Sequence, residues 1–354
     1  MNQDYLELIK SHPELWDHFT RKEEYSSEFR DRFDRFPYYL SKTRNIFEPN
    51  VSEFLFKSGY TPKYPDGKKF AVCLTHDIDS VYRKFPAKCY HIAKSTYKKD
   101  KTEFSKNIKT IFNKKQPLCN FEEIMDLEEK YGAKSSFYFL ALKPGDQDYT
   151  YDIMDLKDEI RNIKDRGWEV GLHGGHEAYN SYEKICEEKK RLEDALGSKV
   201  IGYRNHFLHF KTPDTWEHLA RAGFKYDTTF GYADCVGFRN GMCHPFRPYN
   251  LNTNEFINIT EIPLAVMDCT ILHSYMKLNY DTAMNLAKRM IDKVAELNGV
   301  FTLLWHNTYL QSGTPELRFY EKILNYCQQN DAWITDGKSI QSTYENKLLD
   351  SVKI

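Results

Sequence analysis

The sequence lacks an excess of charge of either sign. Its 354 residues contain 50 Lys and Arg against 51 Asp and Glu, for a net charge of -1. A chain without excess positive charge has no electrostatic basis for binding nucleic acid or an anionic membrane, and we expect neither partner. The sequence also lacks any apolar run near the roughly 18 residues that a transmembrane helix needs, so we expect no membrane span.

Paired cysteines and a secretion signal are missing as well. The eight cysteines are scattered along the chain, and none of them forms a CxxC pair. The N-terminus lacks the basic segment followed by an apolar segment that is typical of a signal peptide. We therefore expect reduced thiols in a cytoplasmic protein.

Two regions of the chain differ in pattern. Residues 1–66 read as helical segments with polar joints, and we predict an N-terminal helical extension there. In residues 67–354, short apolar segments alternate with amphipathic helices, which indicates a mainly parallel sheet. Seven or eight such units predict an α/β fold of the (β/α) barrel type. The predicted strands are 70–75, 134–141, 168–172, 200–203, 224–229, 257–267, 300–305 and 332–335.

Two stretches interrupt this alternation. Residues 87–118 are rich in Lys and predict an insertion after the first strand. Residues 230–256 are rich in Gly and Pro, which is typical of an active-site loop. Asn120 and Asn180 are each followed three residues later by Glu, and we predict that both are helix N-caps.

Polar side chains collect at the carboxyl ends of the predicted strands. Six of these strands are followed closely by Asp, His or Arg. In parallel α/β folds the active site forms along that edge, so we expect these side chains to meet. In chain order they are Asp77 and Asp79, His173 and His176, Arg204 and His206, Asp227, Asp268 and His306.

The strand ends that carry Asp77 and Asp79 and that carry His173 and His176 suggest a metal site. Asp77 and Asp79 are two residues apart in THDID, and a cation would relieve the repulsion between their carboxylates. One of the two carboxylates could bind the metal while the other acts as general base. His173 and His176 could both reach a metal from their glycine-rich loop, with Glu177 as another possible ligand. Histidines combined with one Asp suit zinc and leave positions for water and substrate.

Residues at later strand ends are candidates for roles in acid–base catalysis. Arg204 is expected to orient the carboxylate of Asp77 and hold it ionised. His306 is the candidate general acid. Asp268 is expected to orient its ring by a hydrogen bond, and Asp227 is a rival for that role.

Together these motifs resemble the polysaccharide deacetylase superfamily, carbohydrate esterase family 4. That family carries T-F-D-D, H-[ST]-x-x-H, R-x-P-[FY] and L-x-H motifs, and THDID, HGGH, RNHF and LWH occur here in the same order, over about residues 70–310. The resemblance implies a distorted (β/α) barrel that removes an acyl group, N-acetyl above all, from a sugar. It also implies roles for single residues, with Asp77 as base, Asp79 and His173 as metal ligands, Arg204 as support for the base and His306 as acid.

The chain departs from the family pattern at two motifs. The second ligand histidine of the family falls where this chain has Glu177, with His176 one place early. The proline of R-x-P-[FY] is replaced by His206. His206 and His176 therefore both stand as candidates for the third ligand of a divalent metal, which we expect to be zinc.

The expected substrate is a carbohydrate. Leu304 lies on the same side of its predicted strand as His306 and is expected to pack against a small acyl methyl group. We also predict substrate contacts from Tyr203, Trp305 and Arg239, the last to a phosphate. A cytoplasmic protein would act on a nucleotide- or lipid-linked sugar. Two alternatives stay open, namely a barrel amidohydrolase acting on a non-sugar amide and a non-catalytic sugar-binding relative.

Overall fold

The computed structural model describes residues 3–82, 85–97 and 118–352, together with the single residues 99, 101, 104, 105 and 108. Helices before the first strand lie at Gln3–Lys10, Pro13–Thr20, Lys22–Tyr25 and Asn50–Lys57. Their apolar side chains are buried in the main hydrophobic core of the molecule, among them Leu6, Ile9, Phe19, Val51 and Leu55. The prediction of helices in the N-terminal region is therefore confirmed.

A mainly parallel sheet organises the rest of the chain. Its strands are β1 Phe70–Ile78, β2 Ser136–Leu140, β3 Glu169–Gly174, β4 Gly202–Asn205, β5 Tyr226–Asp227, β8 Thr260–Glu261, β9 Val266–Met267, β10 Val300–Leu304 and β11 Ala332–Thr335. Among the described residues these strands run in the order β8-β5-β4-β3-β2-β1-β10-β9, and β11 also pairs with β1. Each pairing is parallel. The predicted distorted (β/α) barrel is confirmed.

Helices connect the strands and cover the outer face of the sheet. The helix Lys157–Asp165, for example, presents an apolar stripe to the core, in which Ile160 and Ile163 are buried. The other helices are Phe85–Tyr97, Phe121–Glu129, Tyr182–Leu196, Asp214–Arg221, Tyr280–Glu296, Pro315–Gln329 and Gly337–Val352. Within the described ranges, no helix is both long and apolar enough to cross a membrane.

Alternate residues of β1 enter two different cores. Phe70, Val72 and Leu74 pack into the large core that the helices share. Ala71 and Cys73 point to the opposite face, into a smaller cluster that combines residues of β1, β2, β5 and β10. Because strand side chains alternate between the faces, this inner row continues through residue 75 to residue 77 at the mouth of the barrel.

The predicted strand 257–267 is wrong as a single element. The structure has two short strands there, β8 paired with β5 and β9 paired with β10. Pro263 separates them, and a proline has no amide hydrogen for a sheet hydrogen bond. The segment crosses from one edge of the open sheet to the other at this residue, so it completes the barrel irregularly.

Residues 230–256 do not form an open active-site loop. Most of them are buried, and the segment contains the antiparallel pair β6 Tyr249–Asn250 and β7 Glu255–Phe256. Most of the predicted insertion 87–118 lies outside the described residues. Asn120 occupies the N-cap position of the helix Phe121–Glu129 as predicted, although its side chain donates to the carbonyls of Asn307 and Leu310. The other predicted cap is wrong, because Ser181 rather than Asn180 caps its helix.

Candidate active site

A cavity of about 280 Å³ lies at the carboxyl ends of the strands. Residues predicted for catalysis or metal binding meet there with residues of the N-terminal region and of the turn after β9. The lining residues are Arg32, Phe33, Arg35, Asp77, Asp79, His206, Phe207, Leu208, Met267, Cys269, Ser274, Tyr275 and His306.

Three side chains at this cavity form a cluster that could hold a metal ion. One ligand atom from each of Asp79, His173 and His206 lies within 4.8 Å of the other two. The Nε2 atom of His173 lies 3.2 Å from Oδ1 of Asp79, and that of His206 lies 3.7 Å from the same oxygen. The set combines two imidazoles with one carboxylate, which are ligands that zinc accepts.

The tautomer of His173 supports this reading of the cluster. Its Nδ1 lies 3.0 Å from the carbonyl oxygen of Arg204, and it donates there because a carbonyl only accepts. In the neutral ring, Nε2 then carries a lone pair that faces the Asp79 carboxylate. Both Nε2 of His173 and Oδ1 of Asp79 are buried without a hydrogen-bond partner among the described residues. Buried lone pairs that face one another fit a bound cation.

His206 completes the cluster, and His176 and Glu177 do not. The Nδ1 atom of His176 lies 3.0 Å from Oδ2 of Asp148, and Glu177 forms an ion pair of 3.0 Å with Lys184. The same Asp148 oxygen lies 3.4 Å from Nδ1 of His206. Asp148 therefore contacts both histidines, and it leaves Nε2 of His206 directed at the cluster, as carboxylates behind metal-ligating histidines commonly do.

The charges of the cluster shift the pKa values of its members. Burial raises the pKa of Asp79, but the adjacent rings of His206 and His306 outweigh burial and hold the pKa well below its usual range. Burial lowers the pKa of His206, but Asp79 and Asp148 outweigh it and raise the pKa to about 9. A metal ion binds only the neutral ring, so metal binding would release a proton from His206.

Asp77 lies beside the cluster and has no salt bridge to Arg204. Its Oδ2 lies 3.6 Å from Nε2 of His173, and its buried Oδ1 has no hydrogen-bond partner among the described residues. The Arg204 guanidinium instead donates to the hydroxyls of Thr75, at 3.0 Å, and Thr228. Thr75 precedes Asp77 by two residues on the same face of β1, so Arg204 lies one layer deeper in the barrel than we predicted.

His306 reaches the cluster through Asp79, with its Nε2 atom 3.6 Å from Oδ2 of that residue. Its Nδ1 lies 2.7 Å from Oδ1 of Asp268, and its backbone amide donates to the other oxygen at 2.6 Å. The expected contact between Asp268 and His306 is therefore present, whereas Asp227 instead accepts a hydrogen bond from Thr229. Burial lowers the pKa of His306, but Asp268 and then Asp79 outweigh it and raise the pKa well above its usual range.

Two solved structures are similar to this fold over most of its length. A candidate polysaccharide deacetylase from Mycobacterium smegmatis matches with a TM-score of 0.54 and 18% identity, covering 81% of this chain and 94% of the other. The allantoinase PuuE matches with a TM-score of 0.55 and 13% identity, covering 87% and 98%. The chain has the polysaccharide deacetylase fold. No protein-family model and no curated protein sequence matches it.

Of the predicted substrate contacts on the strands of this deacetylase fold, Leu304 faces the cavity, whereas Tyr203 and Trp305 do not. Leu304 shares the inner face of β10 with His306 and packs beneath the cavity against Leu208 and Met267, which line it. Trp305 lies between Leu304 and His306 in sequence, and Tyr203 precedes Arg204 in β4, so both side chains point to the other face of the sheet. Both are buried in the large core that the helices share. Their predicted contact with substrate is therefore corrected, because both side chains point away from the cavity.

Arg239 is buried in an ion pair outside the cavity. Its guanidinium donates to both carboxylate oxygens of Glu24, at 2.9 and 2.6 Å, and to the Gly231 carbonyl. Only 2% of Arg239 is exposed, and it does not line the cavity. The predicted phosphate contact is corrected, because this arginine joins the 230–256 segment to the N-terminal helices.

Several residues of the cavity and of the metal-ligand cluster's surroundings were not predicted from the sequence. Asp148 lies in an irregular turn with a left-handed backbone, at φ 68°, where no periodic pattern marks it. Arg32, Phe33 and Arg35 belong to the N-terminal region, for which we predicted only a helical extension. The dense alternation of Arg and Phe in FRDRFDRF, residues 29–36, is the signal that marks this segment.

Proposed function

We propose that this protein is a metal-dependent hydrolase that removes an N-acetyl group from a sugar. The observation that carries the proposal is the cluster of Asp79, His173 and His206, with Asp77 beside His173 and with His306, bound to Asp268, beside Asp79. The polysaccharide deacetylase fold supports it, because active sites of barrels form at this end of the strands.

The three cluster residues would hold a divalent metal, which we expect to be zinc. A metal there would polarise the acyl carbonyl and lower the pKa of a bound water. Asp77 has a free carboxylate oxygen at the cluster and takes the proton of the attacking water. His306 is kept protonated by Asp268 and gives its Nε2 proton to the departing sugar amine.

The walls of the cavity suit an acylated sugar. Leu208 and Met267 line its apolar part above Leu304, where a methyl group would be shielded from water. The rings of Phe33, Phe207 and Tyr275 line the cavity as well, and aromatic faces pack well against the apolar faces of sugar rings. A nucleotide- or lipid-linked sugar as substrate and a cytoplasmic location remain predictions from the sequence.

The test is acetate release by purified protein loaded with zinc. We expect turnover of N-acetylated sugars, its loss on treatment with a chelator, and its return when zinc is added. Cyclic ureides and formylated amines belong in the same panel, because an allantoinase shares this fold. Preferential hydrolysis of those compounds would replace the sugar assignment, and zinc binding without hydrolysis of any compound would favour a sugar-binding protein.

A further inference from the structure

Residues 29–36, here called the mouth arm, form one wall of the cavity. Arg35 fixes the arm to the barrel, because its guanidinium donates to the Phe207 carbonyl at 2.7 Å and to the Tyr275 hydroxyl at 2.8 Å. It also forms an ion pair with Asp31. Arg35 is therefore fully occupied, and 6% of it is exposed. These contacts give the arm a fixed place beside the catalytic residues.

A continuous stack of rings leads from the metal-ligand cluster to the arm. The ring of His206 lies 4.0 Å from that of Phe207, measured between centroids. Phe207 in turn stacks on Phe33 at 4.9 Å, with 16° between their planes. The guanidinium carbon of Arg32 lies 4.6 Å from the Phe33 ring centroid, within the range of a cation–π contact. Arg32 is thus held at the outer end of the stack.

Arg32 is a cation without an acidic partner. It is exposed and lines the cavity, and it forms no hydrogen bond or ion pair with the residues that the structure describes. The neighbouring carboxylates are engaged elsewhere, since Asp31 pairs with Arg35 and Asp34 accepts a hydrogen bond of 2.7 Å from the Tyr179 hydroxyl. All the donors of the Arg32 guanidinium therefore remain free to bind a ligand in the cavity.

We infer that Arg32 binds an anionic group, phosphate or carboxylate, carried by the acylated sugar. A guanidinium presents paired N–H donors that match two oxygens of either anion, and the aromatic stack lets the sugar ring lie between this anion site and the cluster. The inference rests on the proposed function for the identity of the sugar. It takes over the role that the sequence suggested for Arg239, which is buried.

The test compares anionic and neutral N-acetylated sugars. Arg32→Gln is expected to lower the ratio of kcat/KM for N-acetylglucosamine 1-phosphate to that for N-acetylglucosamine roughly tenfold, because one charge-assisted contact of about 1.5 kcal/mol is lost. The change should lie in KM. Arg44→Gln is the matched control, since Arg44 is an exposed arginine of the same region that does not line the cavity. An N-acetylated uronic acid in place of the phosphate distinguishes the two anions.

Calorimetric binding of the same sugars to zinc-loaded protein separates this inference from the proposed function. If no sugar is hydrolysed but wild type binds the anionic sugars more tightly and Arg32→Gln does not, the anion site stands and the deacetylase assignment fails. If sugars are hydrolysed but Arg32→Gln keeps the wild-type ratio of anionic to neutral substrate in both assays, the anion site is refuted. An equal loss in Arg44→Gln would likewise refute it.

Discussion

Asp77 and His306 contact different members of the same cluster of potential metal ligands. Asp77 Oδ2 is 3.6 Å from His173, and His306 Nε2 is 3.6 Å from Asp79. The buried Oδ1 of Asp77 lacks a hydrogen-bond partner within the described part of the chain, whereas His306 is fixed by both oxygens of Asp268. The two residues are thus prepared for different tasks, one to accept a proton and the other to donate one.

Replacing Asp77 with Asn should remove the base and keep the shape of the site. We expect kcat to fall by about 10² to 10⁴, the typical contribution of a positioned acid or base, while the bound zinc and the melting temperature change little. Acetate release at saturating substrate, with metal analysis and thermal unfolding, measures the three effects. Asp165→Asn makes the same change on an exposed helix position and should be neutral. Near-normal turnover in Asp77→Asn would exclude Asp77 as the base.

At the scale of secondary-structure elements, close packing at the end of β3 explains the two glycines of HGGH. A Cβ atom at Gly174 would overlap the Tyr203 ring, and one at Gly175 would lie 2.5 Å from Leu142. The Gly175 amide donates to Glu188 at 2.8 Å, from the helix Tyr182–Leu196. The buried Glu188 therefore holds the turn that follows His173.

This tether should make stability depend on pH. Burial raises the pKa of Glu188 from 4.5 to about 7, although the Gly175 amide opposes the shift. Between these values the unfolded chain is ionised at this residue while the folded chain keeps the proton. Stability therefore falls as pH rises from 4.5 to 7, by up to about 3 kcal/mol.

Glu188→Gln should lose this pH dependence. Urea unfolding at pH 5 and pH 8 measures it, and the stability of the variant relative to wild type should increase with pH. The adjacent Glu187 is exposed and ion-paired with Lys143, so Glu187→Gln serves as the control. If Glu188→Gln and wild type lost the same stability between the two pH values, the carboxyl of Glu188 would not carry the effect.

Regular elements explain how much of the site could be predicted from the sequence. Asp77, His173 and His306 follow apolar strands, and the carboxyl ends of parallel strands meet at one edge, so their meeting follows from the pattern. Asp148 and the mouth arm lie on irregular segments, whose positions depend on long-range contacts that no local periodicity encodes. The choice between His176 and His206 as third metal ligand could not be predicted for the same reason, because it depends on Asp148, which contacts both rings.

At the scale of the whole molecule, a buried charge network joins the N-terminal helices to the barrel. Glu24 accepts hydrogen bonds from Arg21 at 2.8 Å and from Arg239 at 2.9 and 2.6 Å. Burial raises the pKa of Glu24, but the two arginines outweigh it and lower the pKa to about 2. Arg21 also donates to the Tyr232 hydroxyl, so this network holds the 230–256 segment through Tyr232 as well as through Arg239.

Arg239→Met should therefore destabilise the protein without weakening substrate binding. Removing one partner of a buried ion pair costs about 3–5 kcal/mol, because the remaining charge loses compensation. Urea unfolding measures this loss, and KM is measured at a temperature where the variant remains folded. Arg247→Met, in the same segment but only half-buried, is the control. Wild-type stability combined with a raised KM would instead return Arg239 to the substrate site.

The metal content of two histidine variants tests the proposed metal site most directly. Wild type, His206→Gln and His176→Gln are loaded with zinc, dialysed, and measured by inductively coupled plasma mass spectrometry. We predict close to one zinc per chain in wild type and in His176→Gln, and loss of zinc in His206→Gln, because His206, and not His176, joins Asp79 and His173. Loss of zinc in His176→Gln with retention in His206→Gln would contradict the assignment of His206 as the third ligand. A wild-type protein that binds no zinc would contradict the metal site itself.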